Sequence, residues 1–255
     1  MGKVTPTLGL ATDIKLFEVG GSIRDELLGI QDIPDRDFCA ESPRGWDALI
    51  DWCHARMSKV FLVSPEFFTI RGQIGKDTID VVMCRIDGHS SDGRHPDLVE
   101  PGTLFDDLAR RDFTVNAMAR EVDIETLEPI GDIIDPFHGA EDLRAGVLRT
   151  VGPSIARLEE DGLRLLRAAR FAVTKALRPD GELQVCLESA AMWKFSLEAL
   201  SSDRIRGELH KMMSFNTAAS LEFLVRHCPV GVLGFLFGET TGLWLKPTSE
   251  KKRRN

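Results

Sequence analysis

Gly20 and Gly21 fall between a short apolar run (Leu16, Phe17, Val19) and a helix-like stretch from Ser22 to Leu28. Adjacent glycines at that point predict a strand, a turn in which bare backbone can approach a ligand, and a helix N-terminus whose N–H groups can face a phosphate. Arg24, in the first turn of that helix, places a guanidinium where it could pin a second phosphate group. After Gly29 the chain turns through Asp32 and Pro34 and reaches Asp35-Arg36-Asp37. Residues two apart on a strand point the same way, so Asp35 and Asp37 share a face and Arg36 points away. Two carboxylates beside a phosphate cradle suit magnesium, a hard cation that takes oxygen ligands and keeps substrate phosphates among them. A lone Gly-Gly is usually a turn and a lone Asp-x-Asp usually a solvated loop. Here their order and spacing put both grips within one β-turn-α-β unit, and the stretch reads as a nucleotide site.

The remainder of the first half reads as strands mixed with helices. Ser42-Pro43 predicts a helix start, with Trp46, Leu49, Ile50, Cys53 and Met57 at helical spacing behind it. Phe61-Leu62-Val63 and Phe67 to Arg71 read as strands, and Gly72 to Gly75 as a turn. Thr78 to Arg85 reads as a buried strand with one carboxylate, Asp80, inside an apolar run. A buried aspartate without a partner is costly. Two readings of Asp80 therefore stand: a third carboxylate of the metal site, or one member of a structural ion pair. Asp87 to Gly102 reads as a long polar loop. Asp106-Asp107 precede Arg110-Arg111 at i,i+4, the common spacing of surface ion pairs. Ile130 to Leu143 reads as a loop that ends the first domain.

Beyond Val151-Gly152-Pro153 the pattern changes. From Ser154 to about Leu224 nearly every segment has helical periodicity, with breaks near Pro179-Gly181 and Ser201-Ser202. The expected fold class is therefore α+β: a sheet domain over 1–148, then a helical domain over 149–255 with a disordered basic tail at 247–255. Leu158 to Leu177 reads as one helix. On it Asp161 and Arg164 would share a face, while Arg167 and Arg170 drift round until Arg170 is well turned from Asp161. Alone, such a helix is amphipathic with an ion pair and a solvated basic stripe.

A formal charge of −8 argues against wholesale wrapping of nucleic acid. It leaves room for a local basic groove, which Arg110-Arg111 and Arg164, Arg167, Arg170 would have to form. The five cysteines contain no Cys-x-x-Cys pair and read as free thiols in a reducing compartment, packed as small apolar residues. The first residues lack a sustained apolar core, and no run approaches membrane-spanning length. A cytoplasmic chain with no membrane partner is expected.

These motifs resemble the class II tRNA nucleotidyltransferases (CCA-adding enzymes) and their relatives, the bacterial poly(A) polymerases. The first motif is present as Gly20, Gly21, Arg24, Asp25, Leu27, Leu28 and Gly29, followed by Asp35 and Asp37. The flexible loop resembles Asp92-Gly93-Arg94-His95-Pro96-Asp97, and the second motif runs from Arg110 to Ala119. A third lies at Asp135-Pro136-Phe137 with Gly139 and Asp142-Leu143, and a fourth at Glu160-Asp161 with Arg164, Arg167 and Arg170. Together they cover roughly residues 15 to 175, in the family's order.

The resemblance implies a DNA-polymerase-beta-like nucleotidyltransferase head, a mixed sheet with helices, followed by an all-helical neck. It implies an enzyme that uses Mg2+, CTP and ATP to add C and A to the 3′ end of tRNA without a template, releasing pyrophosphate, and no obligate protein partner. Asp35 and Asp37 would bind the metal, with Asp80 the open third carboxylate. Gly20, Gly21, Ser22 and Arg24 would hold the triphosphate, and Arg111, Asp112 and Asn116 the ribose and phosphates. Arg167 and Arg170 match positions that touch nucleotide or stiffen their helix. Asp161 and Arg164 would read the base. Cytosine and adenine both show an exocyclic amine beside a ring-nitrogen acceptor, which a carboxylate and a guanidinium fit. Guanine and uracil reverse that polarity and would leave buried groups unpaired. Gly162 stands where many members have proline or alanine, a change expected only to weaken helix initiation slightly. The chain is also short for the family, whose members add helical body and tail regions. Poly(A) addition and partial CC- or A-addition stand as alternatives of the same class. A catalytically silent nucleotide- or RNA-binding module stands as one of another class, and transfer to a small molecule would not need the base reader.

Overall fold

The apolar run before the glycine pair forms strand β1 (Lys15–Val19), and the residues after it helix α1 (Gly21–Leu27). The computed structural model describes residues 13–30, 36–87 and 99–237. The chain divides into two compact units between Ala145 and Gly146. The first continues through β2 (Asp37–Glu41), α2 (Trp46–Arg56), β3 (Lys59–Ser64), β4 (Thr69–Ile74), β5 (Asp77–Met83), β6 (Arg85–Asp87) and β7 (Val99–Pro101). Then come α3 (Leu104–Ala109), a 3-10 turn at Thr114–Asn116, β8 (Ala119–Val122), β9 (Pro129–Ile134) and α4 (Gly139–Ala145).

Among the described residues, seven strands form one sheet in the order β3-β4-β5-β2-β1-β8-β9. Its pairs are antiparallel except β2 with β5, which run parallel with Asp37 beside Asp80. Side chains alternate across a strand, so Leu16, Phe38, Ala40, Ile70, Ile79, Val81 and Met83 share one face. They pack against Leu49, Trp52 and Cys53 of α2 in one buried cluster. Each large side chain buried there contributes about 1.5–3 kcal/mol over exposure. Helix α1 packs on β1 and α3 on β2.

Several local expectations change. Ser42 to Gly45 is a turn, closed by Ser42 Oγ donating to the Gly45 carbonyl at 2.8 Å, and α2 starts at Trp46. Gly72 lies inside β4, and the turn follows at Gly75. The ends of the expected long loop pair as β6 and β7. Ile130 to Leu143 is an edge strand and a helix rather than a loop, because β8 offers a free edge that β9 completes. The loop motif at Asp92–Asp97 and the tail at 247–255 lie outside the described residues.

The second unit opens with β10 (Val147–Leu148) and α5 (Ser154–Glu160), then α6 (Leu163–Thr174), β11 (Arg178–Pro179), α7 (Gly181–Glu188), α8 (Ala190–Glu198), α9 (Ser202–Phe215), α10 (Thr217–His227) and α11 (Val230–Phe237). Helix α6 is its axis: Leu165, Leu166, Ala168, Ala169, Phe171 and Ala172 are buried, and α9 and α10 pack on it. Asp180 and Ser189 cap α7 and α8 with their side chains, as short polar residues at helix starts do. The expected single helix from Leu158 to Leu177 is broken. Asp161 is extended (φ −150°, ψ 108°), so it ends α5 and does not share a helix face with Arg164. No helix among the described residues is long and apolar enough to cross a membrane.

Candidate active site

Gly20 takes φ 78° and ψ −117°, a conformation closed to side chains. Its N–H donates to the Met118 carbonyl at 3.0 Å, tying the glycine turn to the second motif. A Cβ on Gly20 would stand 2.7 Å from a terminal nitrogen of Arg111, so the missing side chain is what lets that guanidinium lie against the turn. Arg24 is 7% exposed. Its guanidinium grips the Asp25 carboxylate at 2.8 and 2.9 Å and donates to Asn116 Oδ1. Asn116 in turn donates to Asp112 Oδ1 at 3.0 Å, and the same oxygen accepts from the Phe113 N–H at 2.9 Å. Arg24, Asp112 and Asn116 thus interlock the first and second motifs. Ser22 is buried, and its hydroxyl has no hydrogen-bond partner among the described residues.

The arginine pair differs from its sequence reading. Asp106 closes a capping box with Thr103 at the start of α3. Asp107 is fully buried and holds both arginines, Arg110 at 2.5 Å and Arg111 at 2.9 Å. Burial pushes the Asp107 carboxyl up, but Arg111 and Arg110 outweigh it and hold it below the usual range. These are interior ion pairs, not surface ones.

Asp37 is exposed at the first position of β2. Because β1 and β2 are antiparallel, Val19 lies opposite Asp37, and the glycine turn opens at the same end of the sheet. Asp80 neighbours Asp37 across the parallel pair, on the same face, and takes the Arg71 guanidinium on two oxygens, one at 2.6 Å. Its ion-pair partner is therefore on the neighbouring strand, and its carboxylate is 24% exposed rather than buried. Arg36 points away, as expected, and grips Glu18 at 2.9 and 3.1 Å. Asp35 lies outside the described residues. Among the described residues no three His, Cys, Asp or Glu side chains gather to hold a metal. Asp37 and Asp80 nonetheless offer only carboxylate oxygen from one sheet face, a donor set that fits a hard divalent cation.

In the helical unit, Asp161 accepts from the Leu163 N–H at 3.0 Å and from Arg204 of α9 at 3.1 and 3.2 Å. Arg164, in the first turn of α6, donates to the Arg157 carbonyl at 2.7 Å and to Glu160 at 2.6 Å. Arg170 is held by Glu208 of α9 at 2.5 Å and lies 4.2 Å from the Phe171 ring. Arg167 lies over the same ring at 5.4 Å. The two arginine clusters expected to line a basic groove are thus each built round acids of their own unit. Gly162 is not a mere weakening of the helix start: a Cβ there would lie 2.8 Å from Ser196 Cα and 2.9 Å from its carbonyl oxygen.

The third motif supports the second. Asp135 accepts the first N–H groups of α4, from Gly139 at 2.8 Å and Ala140 at 2.9 Å, and Asp142 accepts from Thr114 Oγ at 2.8 Å. Sequence reasoning missed Asp107, Arg204 and Glu208 as members of the sites. The Asp107 spacing was visible but its burial was not, and 43 residues separate Arg204 from Asp161.

Residues 16–149 match the poly A polymerase head domain family. The chain is 32% identical over 252 residues to the Multifunctional CCA protein of Burkholderia lata, covering 92% of this chain and 54% of that one. It is 32% identical over 253 residues to the protein of the same name from Burkholderia multivorans, with the same coverage. The chain therefore spans about half the length of the curated relatives it matches. Among solved structures, it is similar to the Bacillus stearothermophilus CCA-adding enzyme in complex with CTP, with a TM-score of 0.70 and 28% identity over 89% of this chain and 51% of that one. The Thermotoga maritima CCA-adding enzyme complexed with tRNA-CCA matches with a TM-score of 0.68 and 26% identity over 92% and 50%.

Proposed function

The chain belongs to the poly A polymerase head domain family, and from that premise we propose that it is a template-independent RNA nucleotidyltransferase adding C and A to the 3′ end of tRNA. The observation that carries this is Asp37, an exposed carboxylate that opens at the same sheet end as the Gly20-Gly21 turn. Relatives named for CCA, and solved structures of similar chains with CTP, ATP and tRNA, support the choice of nucleotides and acceptor. Free, buried thiols are in keeping with the cytoplasm, where we place the protein.

The proposed division of labour follows the geometry. Gly21 and Ser22 offer backbone N–H groups to the triphosphate at the start of α1, and Gly20, whose own N–H holds the turn to Met118, lets the phosphates approach bare backbone. Arg111, steadied by Asp107 beside the glycine turn, adds positive charge there. Arg24, Asp112 and Asn116 hold this cradle in shape through their mutual hydrogen bonds. Asp35 and Asp37 would hold Mg2+, with Asp80 beside them. Bound there, the metal would supply charge neutralisation on the phosphates and a more acidic attacking hydroxyl. In the helical neck, Asp161 accepts from the exocyclic amine of C or A and Arg164 donates to the ring nitrogen. Arg167 and Arg170 stiffen α6 under that reader through Phe171 and Glu208.

The test is incubation with Mg2+, labelled CTP and ATP, and tRNA lacking its 3′-terminal CCA. Ordered incorporation of both C and A is expected. Incorporation of A alone, into any RNA, would favour poly(A) addition instead, and no incorporation with tight nucleotide binding would favour a silent module. Arg164→Ala is expected to relax nucleotide choice more than it slows transfer; an unchanged preference for C and A would remove Arg164 from base reading.

A further inference from the structure

The base reader depends on a carboxylate presented in one orientation, and the helical unit contains a residue placed to hold it. An ionised carboxylate has about four acceptor positions, two on each oxygen. Asp161 Oδ1 has both filled, by the Leu163 N–H at 3.0 Å and by Arg204 at 3.2 Å. Oδ2 takes only Arg204, at 3.1 Å. One acceptor position remains on Oδ2, and a single exocyclic amine needs one.

Arg204 is not needed simply to fasten α9 to α6, since Arg170 and Glu208 already join these helices at 2.5 Å. Nor is its guanidinium well satisfied: one terminal nitrogen is buried and has no hydrogen-bond partner among the described residues. An open buried donor is costly, and a residue serving only the fold would be better placed elsewhere. What Arg204 does uniquely is grip Asp161, where α5 has ended and the backbone is extended, so no helix fixes that side chain.

We propose that Arg204 is the positioning residue of nucleotide selection: it holds the Asp161 carboxylate turned so that Oδ2 alone faces the base. The inference rests on the reading of Asp161 as a base reader given above. Its chemistry is a matter of polarity. A carboxylate is acceptor-only, so a fixed Asp161 stands oxygen to oxygen against the carbonyl that uracil and guanine show at the same edge, whereas a freely turning one could swing aside and relieve that repulsion. With Arg204 in place that option is closed, so rejection of UTP is the property Arg204 controls.

The experiment measures CTP and UTP affinity by equilibrium titration, with Mg2+ present, on the full chain and on Arg204→Met, Arg204→Lys and Asp161→Asn. Urea unfolding checks each variant's fold. The expected result is a UTP-to-CTP Kd ratio that falls about ten- to hundredfold in Arg204→Met, the scale of one hydrogen bond to a charged group. Arg204→Lys, which keeps the charge, should recover part of it, and Asp161→Asn should lose at least as much as Arg204→Met. A role confined to the fold would weaken both nucleotides equally and leave the ratio alone. An unchanged ratio in both Arg204 variants, with a fall in Asp161→Asn, overturns the role of Arg204 and leaves the base reader standing. An unchanged ratio in Asp161→Asn overturns the base reader and this inference with it. Should Arg204→Met fail to fold, Arg204→Lys decides: a ratio equal to that of the unmodified chain overturns the proposal, and a lower one supports it.

Discussion

Asp107 and Gly162 show how much of each proposed site rests on single residues behind it. Asp107 is wholly buried between two guanidinium groups. Its carboxyl is held below the ordinary aspartate range by Arg111 and Arg110, although burial opposes them. Its contribution to stability is therefore full above about pH 4, the unfolded value, and is lost as pH falls through the lower value of the folded chain. Asp107→Asn should cost about 3 kcal/mol at pH 7 and should narrow the stability difference between pH 7 and pH 3. Urea titrations at the two pH values check this; an unaltered difference would mean that the ion pairs carry no net stability. Gly162→Ala pushes a methyl into the Ser196 backbone, and overpacking of this kind costs about 1–3 kcal/mol. A melting temperature unchanged by the substitution would show that α8 can move aside.

At the scale of elements, α3 is a short helix with a large task, since it presents Asp107 and leads into Arg110 and Arg111. Thr103 and Asp106 cap it reciprocally. Thr103→Ala should cost about 1 kcal/mol and lower the urea midpoint with little change in slope; an equal midpoint would place the stability of α3 in its packing alone. The strand, glycine turn and helix at the head of the chain were legible because Gly-Gly and the apolar residues before it act locally. The helical second half was legible for the same reason, through its periodicity. The break at Asp161 was not, because apolar spacing continues from Leu158 to Leu177, while the interruption coincides with contacts to Ser196 and Arg204 far along the chain. Ile130 to Leu143 looked like a loop because an exposed edge strand needs no apolar face: Pro129 to Asp132 are all exposed. Asp107 was misread because i,i+4 spacing is the same at a surface and in an interior.

Over the whole molecule, the proposed chemistry is divided between two units of different construction. The sheet unit carries the glycine turn, Asp37, Asp80 and Arg111; the helical unit carries Asp161, Arg164 and Arg204. In the proposed account the first holds phosphates and metal and the second chooses the base, so substitutions in one should alter transfer and in the other selection. The claim beneath all of this is that Asp37 is chemical rather than structural. It stands exposed at the start of its strand, outside the buried core. The measurement is incorporation of labelled CMP into tRNA lacking its CCA end, by the unmodified chain and by Asp37→Ala, with melting curves recorded for both. The account predicts matching curves and transfer by the unmodified chain alone. Transfer by Asp37→Ala at an undiminished rate would contradict it.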